Sequence, residues 1–384
     1  LMKRVGFPSE KAGAIEVASS TNGQLTPPIM GTAAFVMAEL VGVNYWNIAA
    51  VAVFPAFLFY LGVFTTIHLI AKRTGLGAVE QSELPDWRDA FNWYRMGPIV
   101  AGVAGLAFGI FNGNSIQLTA CYGMIGIIIS YVVLSLSVGI SIREIFKTLV
   151  RALEDGGRGV VIVGILLVAA QVFVAIVNLT GVGVAVTSSI LTLADGNLIL
   201  IAIIMAVVCL IAGMGLPTSA AYVLVAAVFA PVLIQQGLPP ITVHLFVLYY
   251  AVLSVITPPV CVAVFVAATV AKTSWTGVAS QSLRLGVTAY AIPMLMLIYP
   301  GLLLQGGVES IAMAILAGIG FTLSVAAFFA GQPIFGRFTS VMWAFPSVLL
   351  LFPHWPSTII GVGLVCMFWI LSNRYAASHE ANVY

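Results

Sequence analysis

Two stretches of the chain, Leu25-Thr26-Pro27-Pro28-Ile29 and Ile256-Thr257-Pro258-Pro259-Val260, lie 231 residues apart and repeat one pattern. Each places two adjacent prolines in the middle of an apolar run and is followed by a phenylalanine, Phe35 or Phe265. A proline inside a helix removes a backbone donor and clashes with the carbonyl four residues back, so both runs must unwind there. The runs are long enough to cross ~30 Å of hydrocarbon at about 1.5 Å per residue. Unwound backbone survives at that depth only when it is buried in protein or lines a wet cavity. Of the 384 residues, 61% are hydrophobic and 7% charged, against roughly a quarter charged in a soluble domain, so a soluble globule is excluded. The apolar runs are continuous and do not alternate with a period of two, which excludes a transmembrane barrel. The expected class is an all-α polytopic membrane protein.

Hydropathy gives a broken span from Lys11 to Val41, then full spans at Tyr45 to Ala71, Met96 to Phe111 and Ile116 to Val138. Ser141 to Arg158 is amphipathic, with Arg143, Lys147 and Arg151 four residues apart, and is expected along the interface. A span from Val160 to Leu179 and a short segment to Asp195 follow. Two arms, Leu198 to Ala212 and Ala220 to Gln235, are joined by Gly213-Met214-Gly215-Leu216-Pro217-Thr218-Ser219 and suit a re-entrant hairpin. The second broken span is Thr242 to Ala271, and Ser274 to Leu285 reads as another interfacial helix. Four further spans are expected at Gly286 to Leu304, Val308 to Ala330, Ser340 to Phe352 and Pro356 to Leu371. The chain thereby divides into 1–71, the end of a first repeat; 72–158, a loop, two connecting spans and the interfacial helix; 159–285, a second repeat with hairpin 197–236 and broken helix 242–271; and 286–384, four more spans and a tail.

With the hairpin entering and leaving on one face, all fifteen Lys and Arg fall on the opposite face, while the loops at 42–44, 112–115, 236–240, 305–307 and 353–355 carry none. The positive-inside rule makes the charged face cytoplasmic. The first broken span then runs outward and the second inward, which is inverted-repeat topology. Counting the arms as two full spans keeps the same parity, so the short arms and the Gly-Pro tip argue better for re-entrance than the charges do. Paired broken helices in inverted halves point to the midplane site of a secondary transporter, because half-helix amides and carbonyls hold an anion and a cation close together. The alternative at each Pro-Pro is a kink in a packed helix.

Beyond the Pro-Pro pairs, the run from Gly6-Phe7-Pro8 through Gly13-Ala14-Ile15-Glu16 to Pro27-Pro28-Ile29-Met30-Gly31, the tip Gly213 to Tyr222 and Ile256 to Val260 resemble the large membrane subunit of tripartite ATP-independent periplasmic (TRAP) transporters, especially the fused TAXI type. The resemblance implies an ion-transporter-superfamily, elevator-type fold and sodium-coupled uptake of an organic acid. It also implies a periplasmic substrate-binding protein and a small membrane subunit, separate or fused upstream. The family's first hairpin is missing before Lys11, so the counterpart of the hairpin at 197–236 is expected upstream of Leu1 and the chain alone is expected not to transport. The four spans after Leu285 exceed the usual large-subunit ending.

Ser19, Ser20, Thr21, Asn22, Gly23 and Gln24 are six consecutive small or polar residues in an otherwise apolar span. Their oxygens, with those near Thr26, Pro27 and Pro28, are hard ligands suited to sodium or substrate; interhelical hydrogen bonding is the competing reading. A second sodium site is expected from Gly213, Gly215, Thr218, Ser254 and Thr257, with Pro217, Ser219, Pro258 and Pro259 around it, unless the tip is a plain tight turn. Glu16 and Glu39 suit a structural or gating role more than proton coupling. Cys121, Cys209, Cys261 and Cys366 read as small core residues. His68, His244, His354 and His379 share no metal spacing and are expected at interfaces, and Gly105 and Gly109 give a weak GxxxG packing signal.

No basic patch with interleaved aromatics is present, so no nucleic-acid partner is expected. No catalytic cluster or GxxxxGK[ST] motif supports an intramembrane enzyme or a nucleotide-driven pump, and no cofactor is implied beyond sodium as coupling ion. The alternative function is a stand-alone sodium/dicarboxylate symporter of the same superfamily.

Overall fold

The computed structural model describes residues 2–3, 6–74, 91–114, 116–335 and 339–380, and these are helical with no strand among them. Arg4, Arg88 and Arg337, used in the orientation count, lie outside the described residues, as do Ser115 and 75–90 of the connecting loop. The elements are α1 (Ser9–Asn22), α2 (Thr32–Val41), α3 (Tyr45–Arg73), α4 (Trp93–Phe111), α5 (Ile116–Ser137), α6 (Ile142–Thr180), α7 (Val182–Leu193), α8 (Leu198–Gly213), α9 (Thr218–Gln235), α10 (Pro240–Leu253), α11 (Val262–Ala271), α12 (Trp275–Ile298), α13 (Val308–Ala330), α14 (Ala344–Leu349) and α15 (Trp355–Glu380). Short 3-10 turns occupy Ser254–Ile256, Pro300–Leu303 and Thr339–Trp343. Seven of the described helices are long and apolar enough to cross a membrane, among them α3, α4, α9, α12 and α13.

The chain forms two compact units, Leu1–Gly77 with Leu166–Tyr384, and Ala78–Ile165. In the smaller unit α4 and α5 meet along a seam of glycines. A Cβ on Gly105 would run into the Tyr122 carbonyl, one on Gly109 would lie 2.7 Å from the Thr119 hydroxyl, and Gly97 and Gly102 abut Leu134 and Ile127. The GxxxG pair thus lies in a real helix contact. Outward from that seam, Phe108, Phe111, Ile129 and Val133 are exposed, as suits a lipid-facing surface.

At the centre of the larger unit lies α10. Every residue from Thr242 to Leu253 is buried, the signature of a helix packed on all sides. Against it pack α2, α8, α9 and α12. The chain on either side repeats one local plan, two half-helices around a break and then a long helix, with correspondences that extend far beyond the prolines. Phe35 stacks on Tyr45 at 4.4 Å between ring centroids, and Phe265 meets Trp275 at 4.9 Å. Gly42 and Lys272 end α2 and α11 in left-handed conformation, at φ 69° and 54°. Asn44 and Ser274 then cap the long helices by accepting from backbone N–H groups. Each pair is separated by 230 residues.

Three expectations about spans need correction. Ser141 to Arg158 and Val160 to Leu179 form one continuous helix of 39 residues, α6. Gly156 and Gly157 weaken a helix by about 1 kcal/mol each but still donate their hydrogen bonds, so a change of polarity there does not end it. Ser274 to Leu285 likewise continues through Gly286 into α12. The span expected at 340–352 is a 3-10 turn and the six-residue α14, well short of ~30 Å. Its anchor is Trp343, fully buried, whose Nε1 donates to the Gln332 carbonyl and whose own carbonyl accepts from Ser324 and Ser347.

The long helices α3 and α12 approach so closely at Gly62 that a Cβ there would lie 2.7 Å from Thr288 Cβ. Gly62→Ala is therefore expected to destabilise the fold by about 1–3 kcal/mol through overpacking, read as a lowered unfolding temperature in detergent against Gly363→Ala, where a Cβ meets open space.

Candidate functional site

Both breaks are closed in the same way. One turn past the last residue of α1, the Thr26 hydroxyl donates to the Asn22 carbonyl at 2.8 Å, and one turn past α10 the Thr257 hydroxyl donates to the Leu253 carbonyl at 2.7 Å. Each hydroxyl adds a side-chain donor to a carbonyl at the end of its helix; at Asn22 it joins the Leu25 N–H on the same oxygen. Each also meets a tyrosine from the following long helix, Tyr60 of α3 at 3.3 Å and Tyr290 of α12 at 2.7 Å. In the first break Tyr45 adds a further clasp, donating to the Pro28 carbonyl at 2.7 Å and accepting from the Met30 N–H at 3.1 Å. The Gly31 N–H closes the loop on the Gln24 carbonyl. Both Pro-Pro peptide bonds are cis.

A cavity of about 750 Å³ runs between the two broken segments. Its walls are Glu16, Ser20 and Thr21 of α1, then Gln24, Val255 of the 3-10 turn, and Ala263 to Ala271 of α11. At its edge Lys3 donates to the Ala271 carbonyl, and Ser20 donates to the Glu16 carboxylate at 3.0 Å. Thr21 donates to the Val17 carbonyl. Next to it, Asn22 is fully buried, and neither its Oδ1 nor its Nδ2 has a hydrogen-bond partner. Burying an unpaired amide costs about 1–3 kcal/mol, so Asn22 is the group in this segment with most to gain from a ligand.

On the other side of the 3-10 turn lies the hairpin tip. A Cβ on Gly213 would run into the Ser254 side chain, and one on Gly215 would lie 3.5 Å from Val260. Gly215 also sits at φ 77°, a conformation that favours glycine. Ser254 is fully buried and donates to the Ala251 carbonyl at 2.7 Å. With that proton committed to backbone, its lone pairs are left to accept, as they are at Thr21. Pro217 precedes α9, and Thr218 and Ser219 form its first turn, Ser219 buried.

The structure thus brings Ser20, Thr21 and Gln24 to one wall of a cavity and Gly213 to Ser254. Ser19 is exposed, and Gly23, which a Cβ would press to 3.2 Å from the Ser20 carbonyl, ends α1 in a tight turn. The Thr257 hydroxyl is committed to Tyr290 and Leu253. Pro258 lines a separate cleft along α12, beside Pro259. Glu39 is exposed near the end of α2. His244 is buried on α10, its Nδ1 2.6 Å from the Tyr222 hydroxyl of α9. Cys209 and Cys261 are buried, whereas Cys121 and Cys366 are exposed, as a small apolar thiol facing lipid can be. Tyr60 and Tyr290 were missed by reasoning from sequence. Carrying the repeat past the prolines, at an offset of 230, pairs them directly.

A family profile described as "Tripartite ATP-independent periplasmic transporter, DctM component" matches residues 1–333. The chain is 22% identical over 315 residues to the C4-dicarboxylate TRAP transporter large permease protein DctM of Pseudomonas aeruginosa, a match covering 82% of this chain and 69% of that protein.

Because the Asn22 amide is buried unpaired, Asn22→Leu is expected to raise thermal stability, measured without added sodium or substrate, by about 1 kcal/mol or more. Calorimetry in detergent measures it, and a loss of stability would mean that the amide is satisfied.

Proposed function

The chain belongs to the DctM component family of tripartite ATP-independent periplasmic transporters, and from that premise we propose that it is the permease subunit of a sodium-coupled, binding-protein-dependent carrier of organic acids. It is a multi-pass membrane protein of a transport family, not an enzyme. The observation that carries the sodium reading is the oxygen chemistry at the first break. Asn22 is buried without a partner, and Thr21 beside it has donated its proton to backbone. Neutral oxygens in that state ligate a hard monovalent cation and have no proton to exchange. The second sodium site we place at Gly213, Gly215, Thr218, Ser254 and Thr257, supported by the close approach of Gly213 to Ser254. Ser19, Gly23, Thr26, Pro27, Pro28, Pro217, Ser219, Pro258 and Pro259 shape the two sites.

The substrate class we propose is a C4-dicarboxylate, after the name of the Pseudomonas aeruginosa relative. A carboxylate is held by half-helix amides and bound sodium at the cavity between the breaks. Each sodium entering down ~100 mV contributes roughly 2.3 kcal/mol to accumulation. The shared plan of the two halves supports an inverted repeat, and we propose that α8, α9 and the broken helices move together as an elevator. The reading includes a periplasmic binding protein, a small membrane subunit as in TAXI-type fused permeases, an inner-membrane location and cytoplasmic Lys/Arg-bearing loops. A stand-alone sodium/dicarboxylate symporter is not favoured, since the matching family is one component of a tripartite system.

Uptake of labelled succinate by proteoliposomes holding the complete system is expected to stop in sodium-free buffer and to persist with a protonophore. Ser254→Ala should raise the sodium concentration needed for half-maximal uptake about 10- to 100-fold, the worth of one hydrogen-bond-strength contact to a charge, and Gly213→Ala should abolish uptake. Uptake that ignores sodium and collapses with the protonophore overturns the proposal.

A further inference from the structure

Two arginines far apart in sequence converge on one helix end. Arg73, the last residue of α3, donates from Nη1 to the carbonyls of Ala330 and Gly331, 3.1 Å to each. Arg284, in α12, donates from Nε to the Phe329 carbonyl. The guanidiniums are neighbours: the point where a Cβ on Gly331 would stand is 3.5 Å from Arg73 Cζ and 3.8 Å from Arg284 Nη2. Capping the C-terminus of α13 explains one of them. A helix end carries only about −0.5 charge, so two guanidiniums leave well over one positive charge uncompensated. Neither forms an ion pair with a carboxylate among the described residues. The acidic group placed nearest along α12 is Glu10, against Gly277, seven residues before Arg284.

Beside this pair a cleft of about 810 Å³ runs along α12. On the N-terminal side of Arg284 its lining holds the polar Thr276, Ser280 and Gln281 along with Trp275 and Ala279, and next to Arg284 or beyond it come Leu283, Val287, Tyr290 and Phe329. Depth gives that order meaning. With 23 residues α13 is about 34 Å long, so its ends stand at the two edges of a ~30 Å hydrocarbon layer. The paired arginines mark one edge, at the level of lipid phosphates. From Arg284 the cleft continues toward Tyr290, about 9 Å further along α12 and into the layer.

We propose that this cleft is a binding site for an anionic phospholipid, with the phosphate at Arg73 and Arg284 and the start of an acyl chain against Leu283, Val287 and Phe329. Charge complementarity selects the phosphate, and apolar walls running inward from it select a lipid over a soluble anion. Basic pockets between membrane helices hold lipid headgroups in this manner.

The test is native mass spectrometry of the purified chain after incorporation into nanodiscs of phosphatidylcholine with or without phosphatidylglycerol. The wild type is expected to retain phosphatidylglycerol. At about 1 kcal/mol per basic residue, Arg73→Gln and Arg284→Gln should each lower retention about five-fold and together about 25-fold. Lys72→Gln, which removes a neighbouring charge outside the pair, should leave retention unchanged. Val287→Trp, which fills the cleft and keeps both arginines, should lower retention as the arginine changes do, and it decides the matter if those variants do not fold. Equal retention by wild type and Val287→Trp overturns the site, as does equal retention by wild type and a folded double arginine variant. Displacement of the lipid by millimolar inorganic phosphate would make it a soluble-anion site and overturn the lipid assignment.

Discussion

Backbone that leaves the α-helix inside an apolar layer must find its hydrogen bonds within the protein, and the larger unit is organised around meeting that demand twice. At each break a threonine hydroxyl donates to a carbonyl at the end of the preceding helix, and a tyrosine from the next long helix meets that hydroxyl. The demand reaches further than the breaks. Tyr60 and Tyr290 reach their threonines only because α3 and α12 start from capped, left-handed corners at Gly42 and Lys272. The sterically required glycine at position 62 lets those two helices lie against each other.

The same arrangement explains why α10 is enclosed on every side. It leads into the second break, and the hairpin arms α8 and α9 pack on it. The 3-10 turn after it presents Val255 to the cavity on one side and Ser254 to Gly213 on the other. One short turn of chain therefore touches both candidate sites, so a ligand at either acts on the same few residues.

What could be read from sequence follows how local the governing physics is. Proline acts on its own backbone, so both breaks and their motif were legible. Span positions followed from hydropathy for α3, α4, α5 and α13. Helix continuity at Gly156 and Gly286 was not legible, because glycine permits a helix end without requiring one. The weak GxxxG signal proved to be part of a four-glycine face, since the other two members, Gly97 and Gly102, follow helical spacing and not the motif. The pairing of Tyr222 with His244, the unpaired state of Asn22 and the meeting of Arg73 with Arg284 depend on which helices become neighbours. No local pattern carries that information. For the tyrosines the signal was present in the repeat, but it lay beyond the window in which the two halves look alike.

The two halves differ by one residue, and its position is telling. The Thr-Pro-Pro motifs stand 231 residues apart, while the starts of α2 and α11, at Thr32 and Val262, stand 230 apart. The first half has three residues between its second proline and the next helix, where the second half has two. Within a helix one added residue turns everything after it by about 100° and would carry each buried face toward lipid. In the non-helical stretch after the prolines the addition is absorbed, and every aromatic contact and cap downstream keeps its register. These few positions are thus where the unequal length of the two halves is taken up, and in the first half the extra residue falls inside the loop that Tyr45 and the Gln24 carbonyl hold closed.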